Sequence, residues 1–214
     1  MQLFLSPDNV RLSGKLNDIN DSVAGGCVAG GTGFPLYGGL LGARMALSAA
    51  EALALSDTAV GTLYGGIYQY VRFLTGATQA PARGNVAFWA TTQSGASPFA
   101  NDGTQFIVTT DGSATVGDGL WAGIILNAVT KGNYGWIQIA GLASASFKAT
   151  PTSNLIGNLV VVTGGTFTVD ALADATAVTD GVAKRILGVC AEAPGTSGSV
   201  AIARIFLKNP FLVL

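Results

Sequence analysis

The chain of 214 residues contains no histidine. That absence removes the Ser-His-Asp triad, the Cys-His pair and the common zinc sites together. Glutamate is nearly missing too: Glu51 and Glu192 stand alone, and neither sits in a pattern suited to paired acid and base work. Charged residues make up 11 % of the chain, against roughly 25 % in an ordinary soluble domain. The 11 cations are scattered from Arg11 to Lys208, with only Lys184 and Arg185 adjacent, so no stripe exists to track phosphates and no direct nucleic-acid partner is expected. The two cysteines, Cys27 and Cys190, lack CxxC spacing and read as buried thiols.

Long apolar runs are also missing. Mean hydropathy is +0.48, yet no stretch of about 18 residues escapes glycine or polar interruption, so no membrane partner is expected. The opening MQLFLSPDNVRLSGK is cut by Pro7 and Asp8 and lacks the basic start of a signal peptide, which predicts a soluble polypeptide made in the cytoplasm. A surface this apolar, with a net charge of −1, is poorly protected against self-association; much of it is expected to be covered by other subunits.

What the chain has instead is glycine, 30 residues of it, in short clusters between apolar runs. Gly, Thr, Ser, Asn and Asp punctuating apolar segments about every ten residues is the pattern of an all-β domain with tight turns. YGGIYQYVRFL, NVAFWATT, TQFIVTT, GLWAGIILNAV, YGWIQIAG, LVVVTGGTFTV and VAIARIFL are rich in β-branched and aromatic residues and read as strands of a β-barrel or β-sandwich. ARMALSAAEALALS, residues 43 to 56, is rich in Ala and Leu, and Leu41, Met45, Ala49, Ala52 and Leu53 fall on one helical face, which predicts a short helix. Met45, Leu47, Ala49, Leu53 and Leu55 also alternate, so a strand competes.

Two echoes occur. LYGG stands at 36 to 39 and again at 63 to 66. GIILNAVTKGNYGWIQI at 123 to 139 parallels GVCAEAPGTSGSVAI at 188 to 202, each a strand, a Gly-rich turn and a second strand: one hairpin template used twice. Residues 1 to 33 have too little apolar patterning for a core and read as an extended arm, while the apolar end IFLKNPFLVL is expected to dock on the body or a neighbour. The expected division is an arm with a short helical segment over 1–60 and a β domain over 61–214.

Searches for chemistry end in turns. DGT at 102 to 104 and DGS at 111 to 113 reverse the order of the aspartic-protease words and read as Asp-Gly turns. GTSGS at 195 to 199 misses the GxSxG elbow, and GTGFPLYGG at 31 to 39 completes neither a dinucleotide nor a P-loop spacing. Asp170, Asp174 and Asp180 lack the calcium-loop spacing and read as solvated loop charges. No enzyme activity, metal or cofactor is therefore expected. The aromatics remain. In KGNYGWIQIAG, Lys131-Gly132-Asn133 is expected to turn; Tyr134, Trp136 and Gln138 share one strand face, with Ile137 and Ile139 on the other facing the core. The aromatic-plus-amide face is a candidate subunit interface, and a sugar-binding platform is its competitor.

AGIILNAVTKGNYGWIQIAG at 122 to 141, followed by RILGVCAEAPGTSGSVAIARI, resembles the C-terminal half of small structural proteins of tailed bacteriophages, over roughly residues 61 to 210. The resemblance implies a virion protein: a capsid decoration or cement protein, a homotrimer on the assembled head, with the major capsid protein and its own copies as partners. A tail or baseplate component shares this profile, and a carbohydrate-binding adhesin is the further alternative.

Overall fold

The computed structural model describes residues 41–75, 77, 79–90, 106–111, 117–153, 155–162, 168–172, 186–195 and 198–208, with the backbone alone over 117–120. The expected arm, the first LYGG, Cys27, the DGT turn, Asp174, Asp180 and the terminal NPFLVL lie outside these residues.

The fold is mainly β. In chain order, β1 (Arg44–Leu47), α1 (Ala49–Ala54), β2 (Gly66–Phe73), β3 (Val86–Ala90), β4 (Ile107–Thr109) and β5 (Gly117–Ile125) lead to the long β6 (Tyr134–Phe147). Then come β7 (Leu159–Val162), β8 (Val169–Ala171), β9 (Ile186–Cys190) and β10 (Ala201–Leu207). Among the described residues, all ten strands join one sheet. Both readings of residues 43 to 56 hold in part. RMAL is a strand paired with β2, and the helix is confined to AAEALA. It starts where Ser48 and Glu51 form a reciprocal capping box. Past its end, the Ser56 hydroxyl donates to the Ala52 carbonyl and accepts from the Leu63 amide.

The sheet closes on itself twice. β2 pairs with β6, β6 with β5, β5 with β3, β3 with β4, and β4 returns parallel to β2. This ring is a five-stranded barrel. The C-terminal half of β6 pairs with β10, β10 with β9, β9 with β7, β7 with β8, and β8 returns parallel to β6. The second ring repeats the first, strand for strand and with the same directions. β6 ends one barrel and begins the other.

The correspondence holds to the residue. Gln69 opposite Ile137 in the first barrel matches Ala143 opposite Ile205 in the second, and Phe73 opposite Val108 matches Phe147 opposite Val169. The bulge between β3 and β5, after Ala87 and Gly123, recurs between β7 and β9 after Val160 and Gly188. Before each bulged pair stands Gly-Asn at positive glycine φ: Gly84 (82°) and Asn85, then Gly157 (90°) and Asn158. Gly84 donates to the Ile125 carbonyl and Ile125 to that of Asn85; Gly157 and Cys190 repeat both bonds with Cys190 and Asn158.

Both barrels are filled with side chains. Val71, Phe73, Ala87, Trp89, Val108, Ala122, Ile125, Ile137 and Ile139 line the first. Their counterparts Ala145, Phe147, Val160, Val162, Val169, Leu187, Cys190, Ile205 and Leu207 lie in one cluster in the second. Ile137 and Ile139 are thus core residues, as the alternation predicts. Val86, Phe88, Trp121 and Ile124 point out of the first barrel and are buried with the second barrel's lining. The two rings therefore pack as one body.

The expected boundary at residue 60 falls after a segment that packs with the strands. β1 runs along β2, and Met45, Leu47, Ala52 and Leu55 are buried with Tyr68, Tyr70 and Trp136. Residues 44 to 55 belong to the β body because their apolar side chains close its outer face.

Candidate functional site

The strand YGWIQIAG begins as expected. The Asn133 amide donates to the Thr130 carbonyl across the turn (3.0 Å), and Gly132, at φ 89°, holds the third position, where a left-handed conformation favours glycine. The turn is tied to β2 by Gly132 and Phe73, whose amides donate to the Phe73 and Asn133 carbonyls respectively.

The three proposed interface residues do lie on one face, but the chain covers that face itself. Trp136 is 0 % exposed. Its ring is tilted against Tyr70 with centroids 5.4 Å apart, and Tyr70 stacks on Tyr134 at 6.1 Å. β1 lies beside β2 in the sheet, with Met45 opposite Tyr68, and Met45, Leu47, Ala52 and Leu55 complete the cluster. Tyr134, partly buried, ends the row, and the Arg72 guanidinium sits 5.7 Å from its ring centre, within cation–π range. The Tyr68 hydroxyl donates to the Tyr64 carbonyl, and burial pushes that phenol well above its ordinary pKa.

Gln138 is buried as well, and its task is local. Its amide nitrogen donates to the carbonyls of Leu142 (2.7 Å) and Ala140 (3.3 Å). These carbonyls flank Gly141, at φ 94°, where β6 passes from the first barrel to the second. Gly66 lies opposite Gly141, and a Cβ on Gly66 would fall 2.6 Å from the Gln138 nitrogen and closer still to the Ala140 carbonyl. The glycine pair permits the crossing and Gln138 stitches it. Within one chain, then, Trp136 and Gln138 are buried by the chain's own residues. In the sequence the 44–55 cover is signalled only by its apolar residues Met45, Leu47, Ala52 and Leu55, which mark a buried segment without naming what it packs on.

Polar chemistry in the second barrel is structural. Asp170 accepts from the Thr152 amide (2.7 Å) and hydroxyl (2.6 Å) and pairs with Lys148 at 2.6 Å. The Cys190 thiol is raised to about 11, by burial first and by the charge of Asp170 second. Among the described residues no cluster of three metal-ligating side chains occurs, and no helix is long and apolar enough to cross a membrane. A recess lined by Thr62, Arg83, Gln138 and Ser144 has room for about one water.

The larger feature is on the outside of the second barrel. β10 alternates strictly: Ala203, Ile205 and Leu207 point in, while Ile202, Arg204 and Phe206 are exposed. Phe206 lies opposite both Leu142 of β6 and Val189 of β9, and Val189 lies opposite Leu159 of β7. Cross-strand partners share a face, so Leu142, Phe206, Val189 and Leu159 form an apolar row across four strands. Phe206 is 54 % exposed and the other three are half-buried. Beside the row, Arg204 and Glu192 pair at 2.9 Å on the surface.

No protein-family model and no curated protein matches the chain. Among solved structures it is similar to the head fiber gp8.5 N base of bacteriophage phi29 at a TM-score of 0.39 and 7 % identity, covering 66 % of this chain and 93 % of that one. A likeness that loose carries no weight for fold or function.

Proposed function

We propose that this chain is a structural protein of a phage virion, a decoration or cement protein that binds the assembled head. Its partners in this reading are the major capsid protein and its own copies, arranged as a homotrimer on the capsid surface. The role has no chemical step. The observation that carries the reading is the apolar row Leu142–Phe206–Val189–Leu159 on a closed, filled barrel. Closure of the second barrel pairs both edges of the strands that carry the row, which leaves their face as the means of contact. Burying such a face yields about 25 cal/mol per Å², and several copies held in one oligomer turn weak contacts into firm attachment. The resemblance of residues 122 to 141 and 185 to 205 to small structural phage proteins supports the same role.

The test is reconstitution. Heads assembled without the protein should bind the purified chain to saturation and withstand higher temperature once loaded. Binding to isolated tails and not to heads would replace this reading with a tail or baseplate role.

A further inference from the structure

The repeat assigns each outward position of the second barrel a counterpart in the first, and their fates differ. In the first barrel Val86 and Ile124 are buried against the second barrel. Tyr68 and Gln138 on the same barrel are buried too, Tyr68 in a cluster with Met45, Ala52 and Leu55. The counterparts are Leu159, Val189, Leu142 and Phe206, fixed by Val86↔Ile124 and Tyr68↔Gln138 in one ring and Leu159↔Val189 and Leu142↔Phe206 in the other. Those four remain half-buried or exposed.

We infer that this row on the second barrel is the contact surface for a second copy of the chain. The fold already uses two of these positions, Val86 and Ile124, to pack barrel on barrel, and a second copy supplies another barrel for their counterparts Leu159 and Val189, with Phe206 beside them. Charge agrees: Arg204 and Glu192, both exposed, cancel each other beside the row, so two such faces meet without net repulsion, and either member can exchange partners across the contact. The closed rings leave β10 flanked by β9 and β6, which makes the contact face to face, not strand addition. The inference deepens the proposed head-associated role by naming the surface behind its self-association.

The experiment is analytical ultracentrifugation of the full chain over a concentration series, for wild type, Phe206→Asp and Leu53→Asp. Leu53, on α1, is as exposed as Phe206 (57 %) but lies off the row. Wild type and Leu53→Asp should associate alike, with Phe206→Asp weakened about tenfold or more, as for an aromatic anchor. A folded Phe206→Asp that associates like wild type overturns the inference. So does a wild-type chain that stays monomeric at every concentration, whether or not it binds heads; head binding would then assign the row to the capsid. Should Phe206→Asp fail to fold, hydrogen exchange on wild type decides: protection of 202–206 that rises with concentration supports the contact, and protection independent of concentration refutes it. A Phe206→Asp monomer that still binds heads sustains the inference and leaves the head-associated role standing; one that binds only tails overturns that role alone.

Discussion

Gly123 and Gly188 occupy the same place in the two barrels, each facing a main-chain carbonyl of the ring's last strand. A Cβ on Gly123 would fall 2.6 Å from the Gln138 oxygen, and one on Gly188 closer still to the Phe206 oxygen. Backbone cannot yield as a side chain can. Gly123→Ala and Gly188→Ala should therefore each cost about 2 to 3 kcal/mol in chemical denaturation, the range for overpacking. Gly157→Ala, where nothing lies within 4 Å of the added carbon, should lose only about 1 kcal/mol for its positive φ. Equal losses at all three would argue against the close approach.

Trp136 gives the second prediction. Its ring is fully buried in a cluster with Tyr70, Met45, Leu47, Ala52 and Leu55, so Trp136→Ala should cost about 3 to 5 kcal/mol of stability. Tyr134→Ala, at the partly exposed end of the aromatic row, should cost less. Thermal and denaturant unfolding measure both. A Trp136→Ala chain as stable as wild type would show that the cover does not sit as described.

The sequence made the strands legible because alternation along AIARIFL or YGWIQIA records which side faces a core. The echo of 123–139 in 188–202 marked the β5–β6 and β9–β10 hairpins, which do hold equivalent places in the two rings. It did not reveal the duplication of the whole barrel. The other equivalent strands keep shape and not identity: Ala87 and Trp89 against Val160 and Val162 fill similar space with different residues. The one shared word, Gly-Asn at 84–85 and 157–158, is too short to stand out in a chain with 30 glycines. The burial of Trp136 and Gln138 was not legible for a different reason. Alternation tells one face from the other but cannot say that a segment from before residue 60 will cover the second.

The short helix depends on its cap. Ser48 and Glu51 satisfy each other's amides, and isolated helices this short do not persist alone. Ser48→Ala should cost about 1 kcal/mol and raise amide exchange across 49–54 ahead of the barrels. Unchanged exchange there would mean that packing of Ala52 and Leu55 alone holds the helix.

Cys190 sets a dependence on alkaline pH. In the folded chain its thiol titrates at about 11, against an ordinary value of 9.0. The unfolded chain therefore releases this proton first. The contribution of Cys190 should be fully present below pH 9 and decline as pH rises toward 11. Replacing it with alanine should lower stability overall but flatten that decline. A wild-type and Cys190→Ala difference that stays constant from pH 8 to 11 would contradict the buried, neutral thiol.

The most direct test of the virion role is quantitative mass spectrometry of purified particles separated into heads and tails. A head-bound structural protein should occur in the head fraction at a fixed ratio to the major capsid protein, from one preparation to the next. Its presence in tails alone, or in infected-cell lysate but never in particles, would contradict the account.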